Sequence, residues 1–109
     1  MADPRQQRAA ENEALSRQVN EAIEESQPPG SQDSSAEFLC ECAHQYCTHL
    51  LKLTPGEYDR IHGHPRRFVV LSGHEDEELE TVVETHTDYL VVEKRGEAGE
   101  QAEAMSSPT

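Results

Sequence analysis

The chain has 109 residues, with 22 Asp and Glu against 9 Lys and Arg, a formal net charge of −13, 34% hydrophobic residues and 5% aromatics. That length allows one domain at most, with a core too small to enlist every residue. The acidic balance excludes a phosphate-backbone binder, no stretch approaches the roughly 20 apolar residues of a membrane span, and the first residues lack the apolar run of a secretion signal, so the chain reads as soluble and cytoplasmic.

The acidity is chain-wide: residues 1–35 carry 3 basic and 7 acidic groups, 36–95 carry 6 and 12, and 96–109 carry none and 3. The large apolar residues fall mostly in the middle segment, which must hold the core. Asp3 and Pro4 open the first element as a cap and a first-turn proline. The Ala, Arg, Gln and Glu that follow favour a helix from Pro4 to Glu25, within an N-terminal unit of residues 1–26. Its apolar stripe is thin and runs through Ala14 or Leu15, Val19, and Ala22 or Ile23. Such a helix is marginal alone in water, so it docks on the middle segment, pairs with a copy of itself or orders on a partner. Glu21, Glu24 and Glu25 read as its solvated face. Residues 27–35, rich in Pro, Gly and Ser, read as a flexible linker.

Residues 36–95 read as a small zinc-binding domain. Phe38 to Cys42 is a short strand with Phe38, Cys40 and Cys42 on one face, and Leu50 to Leu53 is a second. Thr54, Pro55 and Glu57 form a capping box that starts a helix running to His62, with Tyr58 and Ile61 inward. Gly63 and Pro65 end it. Arg67 to Leu71 is a strand closed by Ser72 and Gly73, and Leu79–Glu84 with Tyr89–Lys94 is a hairpin around residues 85–88. Residues 96–109 are expected to form a disordered acidic tail. The fold class is α+β: a small antiparallel sheet of four to five short strands with one internal helix, preceded by the N-terminal amphipathic helix.

All three cysteines, Cys40, Cys42 and Cys47, fall within eight residues. An intracellular chain keeps thiols reduced and three cysteines cannot all pair, so a metal fits this cluster better than a disulfide framework. Zinc takes four thiolate or imidazole ligands in a tetrahedron. Among six histidines, His74 is the first choice for the fourth position because it follows a buried strand, with Gly73 before it to let the backbone approach the cysteines; His44 and His49 compete by proximity. The alternatives are plain buried thiols, with Cys40 beside Phe38, and a redox switch. Strand alternation would hold Cys40 and Cys42 apart, so joint ligation needs a bulge or turn there. His62 and His64 form a weaker metal motif at a helix end, and Glu75 to Glu78 reads as a solvated turn rather than a hard-ion site. No phosphate loop, dinucleotide fingerprint or nucleophile elbow is present, and an acidic setting does not activate Cys47 beside His44 or His49.

Phe38-x-Cys40-Glu41-Cys42-x4-Cys47, Leu53-Thr54-x-x-Glu57-Tyr58, Pro65-x-x-Phe68-x-Val70 with Gly73-His74-Glu75, and Tyr89-x-Val91-Val92-Glu93-Lys94 together resemble a family of short, uncharacterised, mostly actinobacterial proteins, over roughly residues 5–96. That family commonly has arginine where His62 stands and proline where Ser72 stands. The resemblance implies that Cys40, Cys42, Cys47 and His74 act as one unit; it implies no reaction, substrate or partner.

The functional expectation is a non-enzymatic cytoplasmic protein-interaction or regulatory module stabilised by structural zinc, with a protein partner of basic surface and with neither nucleic acid nor membrane as partner. A thiol redox sensor that releases metal on oxidation is the alternative. A small metalloenzyme comes third.

Overall fold

The computed structural model describes residues 4–42, 44 and 47–106. The expected cap at Asp3 and the last three residues of the expected tail lie outside the described residues. The order is α1 (Pro4–Glu25), β1 (Ala36–Leu39), β2 (Leu50–Leu53), α2 (Pro55–His62), β3 (Arg67–Val70), β4 (Glu80–Thr85), β5 (Leu90–Lys94) and α3 (Gly96–Ser106), an α+β arrangement. All strand pairs are antiparallel, but they form two small sheets rather than one: β1–β2, and β3–β5–β4 with β5 central.

The first strand explains the division. It was expected to run to Cys42, yet β1 stops at Leu39. The Cys40 amide still donates to the His49 carbonyl beyond β2 at 2.8 Å, whereas the Glu41 amide donates to Val69 of β3 at 2.7 Å. The chain therefore changes partner within two residues, and the Cys40–Glu41 step joins the two sheets.

The core lies between the sheets and α2. Thr54 caps α2 in a capping box: its hydroxyl accepts from the Glu57 amide at 3.0 Å, and the Glu57 carboxylate accepts from the Thr54 amide at 2.9 Å. The helix presents buried Tyr58 and Ile61 inward, and the Tyr58 ring stacks on Phe38 with centroids 4.6 Å apart. Phe38, Leu51, Phe68 and the valines of β3 and β5 complete the apolar interior. Burial of each large apolar side chain contributes about 1.5–3 kcal/mol.

Helix α1 docks on this body, but not by the face expected. Leu15 and Val19 are 61% and 41% exposed, whereas Glu13, Arg17 and Asn20 are buried. Spacings of four and three residues place those three polar side chains on one face. Arg17 donates to the carbonyls of Pro65 and Arg67 at 3.2 Å, with its guanidinium carbon 4.4 Å from the centroid of the Phe68 ring. Glu13 and Glu80 both pair with the buried ammonium of Lys94. Of the expected stripe Ile23 does pack against the core, but on the docked face buried polar contacts and a cation–π contact carry most of what an apolar stripe would.

Two further expectations are corrected. Residues 96–106 form α3 rather than a disordered tail, packing against α1 and β5 with Ala98 and Ala102 buried. The good helix formers Ala, Glu and Gln outweigh the two glycines once small side chains let α3 lie close. At Gly99 a Cβ would stand 2.9 Å from the Lys94 carbonyl, so only glycine fits there. The linker segment is also tied down at one point, since the Gly56 amide donates to the Gln32 carbonyl at 3.1 Å.

Candidate metal centre

Where the two sheets meet, four ligand atoms converge. The sulfurs of Cys40, Cys42 and Cys47 and a ring nitrogen of His74 all lie within 4.8 Å of one another. His74 Nδ1 is 3.7 Å from Cys40 Sγ and 3.5 Å from Cys47 Sγ. A tetrahedral ion held at about 2.3 Å by sulfur and about 2.0 Å by nitrogen needs S···N edges of about 3.5 Å. The cluster is close to ligating size and could hold a metal ion.

Each ligand is placed by its own backbone. Ending β1 at Leu39 removes the strand alternation that would have separated Cys40 from Cys42. The Leu71 amide donates to Cys40 Sγ at 3.2 Å. The amides of His44 and His49 point at Cys42 and Cys47, each two residues on from the sulfur it faces. Such N–H groups favour the thiolate form, which is the form that ligates. His74 rides a tight turn whose amide returns to the Leu71 carbonyl at 2.9 Å. Gly73 has φ +94° in that turn, and a Cβ there would meet nothing within 4 Å. The glycine is needed for its left-handed torsion, not for the close approach expected of it.

The thiols are electrostatically unequal. The hydrogen bond with Cys40 holds the Cys42 thiol down to about 4, helped by the His44 amide, His74 and Cys47 and opposed by burial. The same hydrogen bond, then burial, pushes Cys40 up, and burial pushes Cys47 up. Negative charge gathers on Cys42 while its neighbours hold their protons, and a divalent cation exchanges for those protons when it binds.

The other histidines stand outside the set. The rings of His44 and His49 lie edge-on to His74, with centroids 5.7 and 5.1 Å away. His86 stacks on Tyr89 and bonds Glu84, and His62 bonds Glu41. An open depression of about 460 Å³, lined by His44, His74 and Glu75 to Glu78, adjoins the centre. Glu75 and Asp76 there accept from the amides of Gly73 and Glu78, so they close turns, as a solvated acidic segment does.

Sequence reasoning missed the residue between the first two ligands. Glu41 is fully buried. Its Oε1 meets His62 Nε2 at 2.8 Å and the Val69 amide at 3.0 Å; its Oε2 accepts from Tyr58 at 2.9 Å and Asn20 at 3.0 Å. Burial opposes the charge, but His62 and these hydrogen bonds outweigh it and hold the carboxyl below the usual carboxylate range. No sequence signal marked it, since strand alternation would have put Glu41 on the face opposite Phe38 and Cys40.

No protein-family model, curated protein or solved structure matches the chain.

Proposed function

We propose that Cys40, Cys42, Cys47 and His74 bind one zinc ion as a structural centre, in a non-enzymatic cytoplasmic module that engages a protein partner of basic surface. The observation that supports the centre is the pair of S···N separations from His74 to Cys40 and Cys47, 3.7 and 3.5 Å, which lie near the edge of a zinc tetrahedron. Three sulfurs and one nitrogen would fill all four positions. That leaves no open position for substrate, and so favours a structural over a catalytic role. A net charge of −13 favours a basic partner, chiefly by accelerating encounter. Among the described residues no helix is long and apolar enough to cross a membrane.

The second reading, a redox sensor, is favoured by the half-buried position of Cys47 beside two buried thiols. Peroxide would take two electrons from Cys47 and from Cys40 or Cys42, form the S–S bond and release the metal. Metal content per chain on untagged protein, before and after peroxide, separates the readings. Stoichiometric zinc that survives supports the structural centre. Zinc lost and regained on reduction supports the sensor, and absence of zinc from the start defeats both.

A further inference from the structure

Glu41 separates two ligands of the centre in sequence and gathers three elements of the molecule in space. Its carboxylate takes donors from α1 (Asn20), α2 (Tyr58 and His62) and β3 (Val69). Its backbone amide is fixed to the Val69 carbonyl at 2.7 Å. Two alternate amides, one in β3 and one just past its end, are thus spent on neighbouring positions: Val69 donates to Glu41 Oε1 and Leu71 to Cys40 Sγ. Asn20 closes the arrangement from the other side. Its Oδ1 accepts from the Leu39 amide at 2.7 Å, and its Nδ2 donates to the Leu39 carbonyl at 2.8 Å and to Glu41 Oε2 at 3.0 Å. Leu39, Cys40 and Glu41 are consecutive, so a side chain of α1 grips the backbone that aims the first ligand.

We propose that Glu41 is a positioning residue of the metal centre, clamping the Cys40–Cys42 step in ligating geometry, and that through Asn20 it couples docking of α1 to metal binding. The inference rests on the zinc reading above. A buried carboxylate with a full set of donors has one low-energy orientation, because each displaced donor would be stranded away from water. The backbone that carries Glu41 is the backbone that carries the sulfurs, so fixing one fixes the other. Outer supports of this kind are worth about 10–100-fold in metal affinity. Coupling is reciprocal: if docked α1 tightens zinc binding by some factor, bound zinc tightens α1 docking by the same factor.

The test measures zinc affinity by chelator competition on the full chain for wild type, Glu41→Gln, Tyr58→Phe and Asn20→Ala. Val92→Ala, a cavity variant in β5, controls for lost stability. Glu41→Gln and Asn20→Ala are expected to weaken zinc about 10–100-fold, and Tyr58→Phe by a smaller factor, while Val92→Ala melts lower and binds zinc as wild type does. Amide exchange in α1 is expected to speed up when wild type is stripped of zinc. Cobalt(II) absorption reports whether the sulfurs keep tetrahedral geometry in each variant, a signature that loss of stability alone leaves intact. Should Glu41→Gln fail to fold, Tyr58→Phe and Asn20→Ala carry the test. Unchanged zinc affinity in folded variants, or α1 exchange indifferent to zinc, overturns the inference and leaves the zinc reading standing. No zinc binding by wild type overturns both.

Discussion

His74 reaches the cysteines through a turn that needs a left-handed residue at Gly73, and its Nδ1 lies 3.5 Å from Cys47 Sγ. His44 and His49 only flank its ring. His74→Ala is therefore expected to cost more zinc affinity than the roughly 10–100-fold of a lost outer support, with His44→Ala and His49→Ala costing less. Chelator competition on the three variants checks the order, and equal losses would contradict it. The four members of the cluster were legible because three cysteines crowd one short stretch and a Gly-His pair follows a strongly apolar strand. Glu41 was not. Its partners Asn20, Tyr58, His62 and Val69 come from three separate stretches of chain, α1, α2 and β3, and a lone acidic residue carries no mark of burial. Removing one donor from that carboxylate, as in Tyr58→Phe, is expected to lower stability by about 1.5–3 kcal/mol, read by denaturant melting.

Among elements, α1 is the instructive case. Its existence and length were readable from the proline start and the helix-forming composition, and its docking was one of the expected outcomes. Its docked face was not readable, since the usual rule turns Leu15 and Val19 inward and here they are exposed. Arg17, Asn20 and Glu13 find carbonyls, a carboxylate and an ammonium that only the folded body supplies. Leu15→Ser is thus expected to change stability by less than about 0.5 kcal/mol, against about 1–3 kcal/mol for Asn20→Ala; equal effects would mean that the apolar stripe is the docking face.

The Glu13 contact adds a pH dependence. Burial pushes its carboxyl from the usual 4.5 up to about 8, against the pull of Lys94 and with repulsion from Glu80 and Glu41. Between those pH values the folded chain holds a proton that the unfolded chain has lost. The stabilisation from this proton is full below about 4.5 and is lost as pH rises through about 8. Melting temperature from pH 5 to 9 is expected to fall less steeply in Glu13→Gln than in wild type, and parallel curves would contradict the assignment. α3 escaped sequence reading for a related reason: with small side chains, its seat against α1 and β5 is visible only after folding. Gly99→Leu tests that seat and is expected to lower the melting temperature, because even the Cβ collides with the Lys94 carbonyl.

For the whole molecule, the radius of gyration is 13.2 Å, and about 13 Å is the value of a compact domain of this length. The sequence suggested some 60 folding residues with helix, linker and tail attached; α1 packs onto that body, one of the outcomes expected for it, and α3 does so as well. Fold class, strand number and the internal helix were legible from periodicity and capping. The division into two sheets was not, because it depends on the change of partner between Cys40 and Glu41, which periodicity does not register. That change of partner places the four candidate ligands at the seam between the sheets, so a bound ion would hold β1, β3 and the turn after β3 together. Zinc at 100 times its dissociation constant is expected to add about 2.7 kcal/mol to the unfolding free energy, seen as a higher melting temperature that a chelator abolishes.

The most direct measurement is X-ray absorption at the zinc edge of the purified full chain. The centre described here predicts one zinc per chain with three sulfurs at about 2.3 Å and one nitrogen at about 2.0–2.1 Å. A shell of oxygen and nitrogen alone, or a zinc signal unchanged when Cys47 and His74 are both replaced, would contradict it.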